Sequence, residues 1–230
     1  MRHGGLAAIL TGVVRWTVGL FLGWLALVFV LMIVYAYVPP VSTLMLGRWV
    51  TLQPVQRHAL PLAAMSRNLP AAVVMSEDAR FCRHAGVDWD ALSQVLADAD
   101  EDGPSRGAST LTMQLVKNLF LWPGRSYVRK ALEIPLAVVL DLVWSKKRIM
   151  EAYLNVAEWG DGVFGAEAAA RAAFGKGAGA LTPREAALLA TALPNPRLRH
   201  AAKPSRRHAT LAGIVARRAA VGSAWTDCLR

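Results

Sequence analysis

Residues 109–143 read STLTMQLVKNLFLWPGRSYVRKALEIPLAVVLDLV, and this run decides the fold class. Apolar residues recur at helical spacing on both sides of the stop Trp122-Pro123-Gly124, and nowhere alternate with period two. Two helices are expected, Ser109–Leu121 and Ser126–Val143, with Pro135 expected to perturb the second. The flanks repeat the pattern. Leu69–Ser76 runs as an apolar helix into Glu77, and Asp88–Asp98 is amphipathic through Ala91, Leu92, Val95 and Leu96. Lys146–Glu158, Ala166–Phe174 and Pro183–Leu193 are further helices. The last starts with the capping-box residues Thr182 and Glu185 around Pro183. A basic helix follows from about Ser205. Residues 98–107 (DADEDGPSRG) read as a polar, mobile loop. With no strand pattern and no internal repeat, the fold class is mostly α.

Composition narrows the function classes. A hydrophobic share of 54% excludes a disordered chain, and 18% charged residues is too few for a coiled coil. Two cysteines, Cys82 and Cys228, are too few for a disulfide scaffold and lack zinc-site spacing. Lys and Arg number 26 against 16 Asp and Glu, a net charge of +10 that favours an anionic partner. Val18–Val38 is almost wholly apolar. As a helix it spans about 31 Å, against a hydrocarbon core of about 30 Å. Trp16, Tyr35 and Tyr37 suit the interfaces, and Pro39-Pro40 stops the helix. A cleaved signal peptide is the rival, but its apolar region is shorter and ends in small residues. Arg2 and Arg15 precede the span, so the positive-inside rule expects a short cytoplasmic segment at 1–15 and a transmembrane helix at 16–38. A loose connector at 39–68 and a domain at 69–230 then lie outside, which disfavours nucleic acid as the anionic partner.

Four constellations bear chemistry. In Glu77-Asp78-Ala79-Arg80-Phe81-Cys82-Arg83-His84-Ala85-Gly86, a carboxylate ends an apolar helix, where desolvation suits it to acid–base work. A solvated helix-end acid is the plainer reading. In the second, Thr110, Gln114 and Lys117 share a polar helix face opposite Leu111, Leu115 and Leu119. A start in Gly107-Ala108-Ser109 would offer free N–H groups to an anion, or be an ordinary serine cap. The third groups Lys117, Arg125, Arg129 and Lys130, which suits a pyrophosphate better than a single phosphate. Arg129 and Glu133, one turn apart, also read as a surface ion pair. In the fourth, Glu151 and Asn155 share a helix face suited to helix–helix hydrogen bonds. Gly160-Asp161-Gly162-Val163-Phe164-Gly165 mimics a dinucleotide fingerprint but follows a helix, so it is read as a turn between helices.

Taken in order, these segments from Ser76 to Pro196 resemble the motifs of the peptidoglycan glycosyltransferases, shared by class A penicillin-binding proteins and the monofunctional biosynthetic transglycosylases. The single apolar helix and the stretch WSKKRIMEAYLNVAEWGDGVFGAEAAA look most like the monofunctional enzymes. The resemblance implies a lysozyme-like α fold with a small membrane-apposed lobe. It implies polymerisation of lipid II, with inversion at the MurNAc anomeric carbon and release of undecaprenyl pyrophosphate. Glu77 matches the base that deprotonates the acceptor hydroxyl, and Glu133 the second essential acid near the donor pyrophosphate. Lys117, Arg125, Arg129 and Lys130 match positions that hold the leaving group. Ser109, Thr110, Gln114, Asn118, Lys176, Asp78, Phe81 and His84 match substrate-binding positions, and the fourth motif looks mainly structural.

No metal site is implied. A divalent cation (Mg2+ or Mn2+) is allowed at the pyrophosphate but not obligatory. Implied partners are lipid II, the lipid-linked glycan and membrane lipids, with penicillin-binding and division proteins as candidates. Two departures stand out: Met113 replaces a glutamine, where a packing role is expected, and Ala173 replaces an aromatic beside Lys176. Cys82 and Cys228 lie on the oxidising side in this topology, where a pairing is open. A lysozyme-like hydrolase or lytic transglycosylase, and an inactive membrane scaffold, remain as other classes. Turnover of lipid II against turnover of finished glycan separates them.

Overall fold

The computed structural model describes residues 3–98, 109–124, 126–222 and 225–230. Most of the expected polar loop, and Arg125 of the basic cluster, lie outside them. The chain forms two compact units, Met1–Val38 and Pro39–Arg230.

The first unit is one helix, α1 (His3–Tyr35), whose Thr11–Tyr35 stretch is long and apolar enough to cross a membrane. Leu20, Leu22, Leu27 and Val30 on it are exposed, unlike the side chains of a core helix. The helix ends at Tyr35, three residues short of the expected Val38, as the chain turns ahead of Pro39.

In the second unit, α3 (Asn68–Glu77) packs against α9 (Pro183–Ala192) and α10 (Arg206–Val221). Separately, α5 (Leu111–Phe120) packs against α6 (Tyr127–Val143) and α7 (Lys146–Val156). Ala186, Ala187 and Ala190 on α9 and Ala72 and Val73 on α3 are all buried, small side chains that suit the packing of these two helices. Phe81, Leu111, Met113, Leu115 and Leu154 are fully buried. A side chain of that kind contributes about 1.5–3 kcal/mol on leaving water. Met113 thus takes the packing role expected of it.

Local chemistry sets the helix starts. Asp88 caps α4 (Trp89–Ala97), Ser126 caps α6, Ser145 caps α7 and Ser205 caps α10, each side chain accepting a backbone N–H inside the first turn. Thr182 and Glu185 form the expected capping box on α9. α8 (Ala166–Phe174) ends at left-handed Gly175.

Four expectations are corrected. Residues 39–68 are not merely loose: they include α2 (Thr43–Val50), capped by Ser42, and β1 (Gln56–Arg57). Strands do occur, with β2 (Glu158–Gly160) and β3 (Val163–Phe164) completing a small sheet of order β1-β3-β2. Strands of two or three residues are too short to show period two. α6 runs unbroken through Pro135, which lies on its exposed side.

The last correction concerns the glycine-rich run, which is a β2–β3 hairpin and not a simple turn between helices. It wraps the Arg48 guanidinium, which reaches Asp161 Oδ1 at 2.9 Å and donates through Nε to the Pro54 carbonyl at 3.0 Å. Gly162 has φ +71°, and a Cβ there would lie 2.6 Å from the Pro54 oxygen.

Candidate active site

Glu77 closes α3 at the seam between the two helix groups. Its Oε2 accepts Gln114 Nε2 of α5 at 3.1 Å, and its Oε1 accepts the Ser76 hydroxyl at 3.3 Å. Burial pushes the Glu77 carboxyl above its ordinary range, with Asp78 adding to the rise. The Gln114 and Ser76 hydrogen bonds and the Arg199 charge oppose it. The Gln114 carbonyl oxygen in turn accepts the Tyr153 hydroxyl of α7 at 2.9 Å.

The segment after Glu77 is framework. Asp78 takes His84 Nε2 on both oxygens at 3.0 Å and the Leu111 N–H on Oδ2 at 2.9 Å. Phe81 is fully buried, with the Lys146 ammonium 4.7 Å from its ring centroid. Asp78, Phe81 and His84, expected to bind substrate, face inward and hold the motif in place. This also corrects the start of α5. Thr110, not Ser109, is its cap, and a carboxylate of the protein itself occupies the helix N-terminus. Asp78 thus takes one of the N–H groups expected to face an anion there.

Thr110 stitches the same two segments, its hydroxyl donating to the Gly86 carbonyl at 2.6 Å. Gly86 has φ +82°, and a Cβ would sit 2.4 Å from the Ala137 carbonyl oxygen of α6. Only glycine lets α6 approach this closely.

The second acid is Glu133 on α6, 2% exposed. Arg129 Nη1 pairs with its Oε1, and Lys130 Nζ with its Oε2 at 3.0 Å. Lys130 also donates to Ser109 Oγ at 2.7 Å. The pair at i, i+4 is therefore buried on the carboxylate side, not the solvated surface pair its spacing allowed. Lys117 lies in the same field. Burial lowers its ammonium below the usual lysine range, and Arg129 and Lys130 lower it further, against Glu133 and Glu77. Lys117, Arg129 and Lys130 against Glu133 leave two positive charges to spare, so the cluster suits an incoming dianion.

Other expected residues divide. The Asn118 carbonyl accepts the Thr43 hydroxyl at 3.3 Å. Lys176 pairs with Glu185 of the α9 capping box at 2.7 Å. Asn155 holds both the N–H and the carbonyl of Leu60, a residue outside any helix, while Glu151 accepts the Leu62 N–H at the start of the 3-10 helix Leu62–Ala64. Asp78 on the Leu111 N–H of α5, and Tyr153 and Arg199 near Glu77, are roles that helical spacing does not signal, because their partners lie 33 or more residues away.

Cys82 and Cys228 form a disulfide with Cα atoms 5.6 Å apart, binding the 3-10 turn Phe81–Arg83 within the first motif to the C-terminal turn Asp227–Leu229. Beside it Arg83 stacks over the Trp225 ring at 4.6 Å. Asp227 approaches both sulfurs, yet their covalent bond leaves no thiolate for a metal.

An α-helical unit with one desolvated carboxylate and a second carboxylate inside a cation cluster defines a site for moving a group away from an anionic leaving group. Residues 45–220 match the transglycosylase family. The biosynthetic peptidoglycan transglycosylase of Brucella suis biovar 1 is 54% identical over 202 residues, covering 87% of this chain and 90% of that protein. That of Agrobacterium fabrum is 51% identical over 210 residues (90% and 93%), and that of Rhodopseudomonas palustris strain TIE-1 is 50% identical over 219 (94% and 93%). The chain belongs to the transglycosylase family.

Proposed function

We propose that this protein polymerises lipid II into β-1,4-linked glycan strands and releases undecaprenyl pyrophosphate. The observation that carries the reading is the pair of unlike acids, Glu77 desolvated and held by Gln114, Glu133 buried among cations. Glu77 takes the proton of the acceptor GlcNAc 4-hydroxyl as its oxygen attacks the MurNAc anomeric carbon from the face opposite the pyrophosphate, inverting that centre. The C–O bond to pyrophosphate breaks, and the departing charge meets Lys117, Arg129 and Lys130. A diphosphate leaves without needing a proton, so the second acid organises the cations.

Both Glu133 oxygens are taken by Arg129 and Lys130, so the cluster offers no free carboxylate to a divalent ion. Mg2+ or Mn2+ would ride on the substrate phosphates.

The apolar N-terminal helix supports a membrane anchor. The finer reading puts residues 1–15 in the cytoplasm and the catalytic unit outside, and the disulfide favours it because such bonds persist in oxidising compartments. Val128, Ala131, Pro135, Val139 and Leu142 form one exposed stripe along α6, with Val128 67% and Leu142 76% exposed. This stripe suits the membrane-apposed lobe.

Labelled lipid II and finished glycan, offered in parallel to the full chain, test the reading. Polymer from lipid II with the finished glycan untouched supports a polymerase. Cleavage of the finished glycan would establish a hydrolase or lytic enzyme instead, and inertness toward both a scaffold.

A further inference from the structure

Tyr153 is 1% exposed and lies in the motif assigned a structural part. Its hydroxyl meets Gln114 Oε1 at 2.9 Å, while Gln114 Nε2 meets Glu77 Oε2 at 3.1 Å. The direction of this chain is set by chemistry. An ionised carboxylate only accepts, so the amide must turn its NH2 toward Glu77, and its carbonyl oxygen then needs a donor on the far side. Tyr153 is that donor. Burial drives its phenol well above the usual tyrosine range, so it keeps its proton at any working pH.

We propose that Tyr153 is a positioning residue for the transfer reaction, its hydroxyl locking the Gln114 amide so that the NH2 holds the Glu77 carboxylate in one orientation. The proposal rests on Glu77 being the base. Without the phenol, the amide is free to rotate and present its oxygen to Glu77, which repels the ionised carboxylate. The groups facing Glu77 are Ser76 and Asp78 on its own segment, Gln114 and Lys117 from α5, Tyr153 from α7, and Arg199 beyond α9. Of these, Gln114 is the one Tyr153 touches, so its effect travels through that amide.

The test is the pH profile of kcat/KM for lipid II polymerisation by the full chain, with wild type, Glu77→Gln, Tyr153→Phe, Gln114→Ala and the double variant. Tyr153→Phe should move the acid limb to higher pH and lower kcat roughly tenfold, with KM little changed. Gln114→Ala should do the same, and the double variant should add little, since both changes cut one chain. An unmoved acid limb in folded Tyr153→Phe, or fully additive losses, overturns the proposal. If Tyr153→Phe does not fold, Gln114→Ala decides: a shifted limb supports the chain and an unmoved one refutes it. An active Glu77→Gln removes the base reading itself, a failure visible without the other variants.

Discussion

Breaking the Cys82–Cys228 bond should loosen the catalytic unit measurably. The bond joins positions 146 residues apart. In the chain-entropy account, a loop of that size restrains the unfolded state by about 5 kcal/mol at 25 °C, while loss of native disulfides from small domains costs roughly 2–5 kcal/mol. With a urea dependence of about 2–3 kcal/mol per molar, the unfolding midpoint should fall by roughly 1–2 M. The assay is tryptophan fluorescence of the full chain in detergent during urea titration, oxidised and reduced, with thiol titration confirming two free cysteines. Cys82→Ser with Cys228→Ser should match the reduced protein. Once reduced, the C-terminal turn keeps only weaker ties to the first motif, such as Arg83 over Trp225. An unchanged midpoint after complete reduction would refute the reasoning, because the cross-link would then restrain nothing that unfolds.

Other perturbations have equally definite signs. Glu77 is raised in the folded state, so folding favours its protonated form, and its ionisation costs stability as pH rises above the ordinary carboxylate range. Glu77→Gln should therefore melt higher than wild type at pH 7–8, with the difference vanishing below about pH 4, as calorimetry across pH would show. Lys117 is lowered by burial, so it loses its charge as pH rises through that lowered value and the alkaline limb of kcat should fall with it. Lys117→Arg should push that limb to higher pH. Gly86→Ala forces a Cβ against the α6 backbone at positive φ, and thermal melting should report a loss of about 2–5 kcal/mol.

Much of this architecture is written locally. Ser126, Ser145, Thr182 and Ser205 announce the helices they cap, because a cap is a contact within three residues. The juxtaposition of Glu133 with Arg129 and Lys130 is legible because the three lie one turn apart on a helix. What escapes is long-range. Asp78 on the Leu111 N–H, Tyr153 on the Gln114 carbonyl, and Arg48 on Asp161 of the hairpin each depend on partners 33, 39 and 113 residues away. The short strands escape for another reason, since β1 is defined by pairing with β3 across the unit and not by its own pattern. Burial of Glu133 is likewise a property of packing, which its sequence spacing does not report.

The central claim is that Glu77 is the base of a lipid II polymerase. The most direct measurement is the initial rate of polymerisation of labelled lipid II by purified full-length protein beside Glu77→Gln. The account predicts long glycan from wild type and a loss of about 10²–10⁴-fold in the variant, the range for a positioned general base. A Glu77→Gln rate within tenfold of wild type would contradict it.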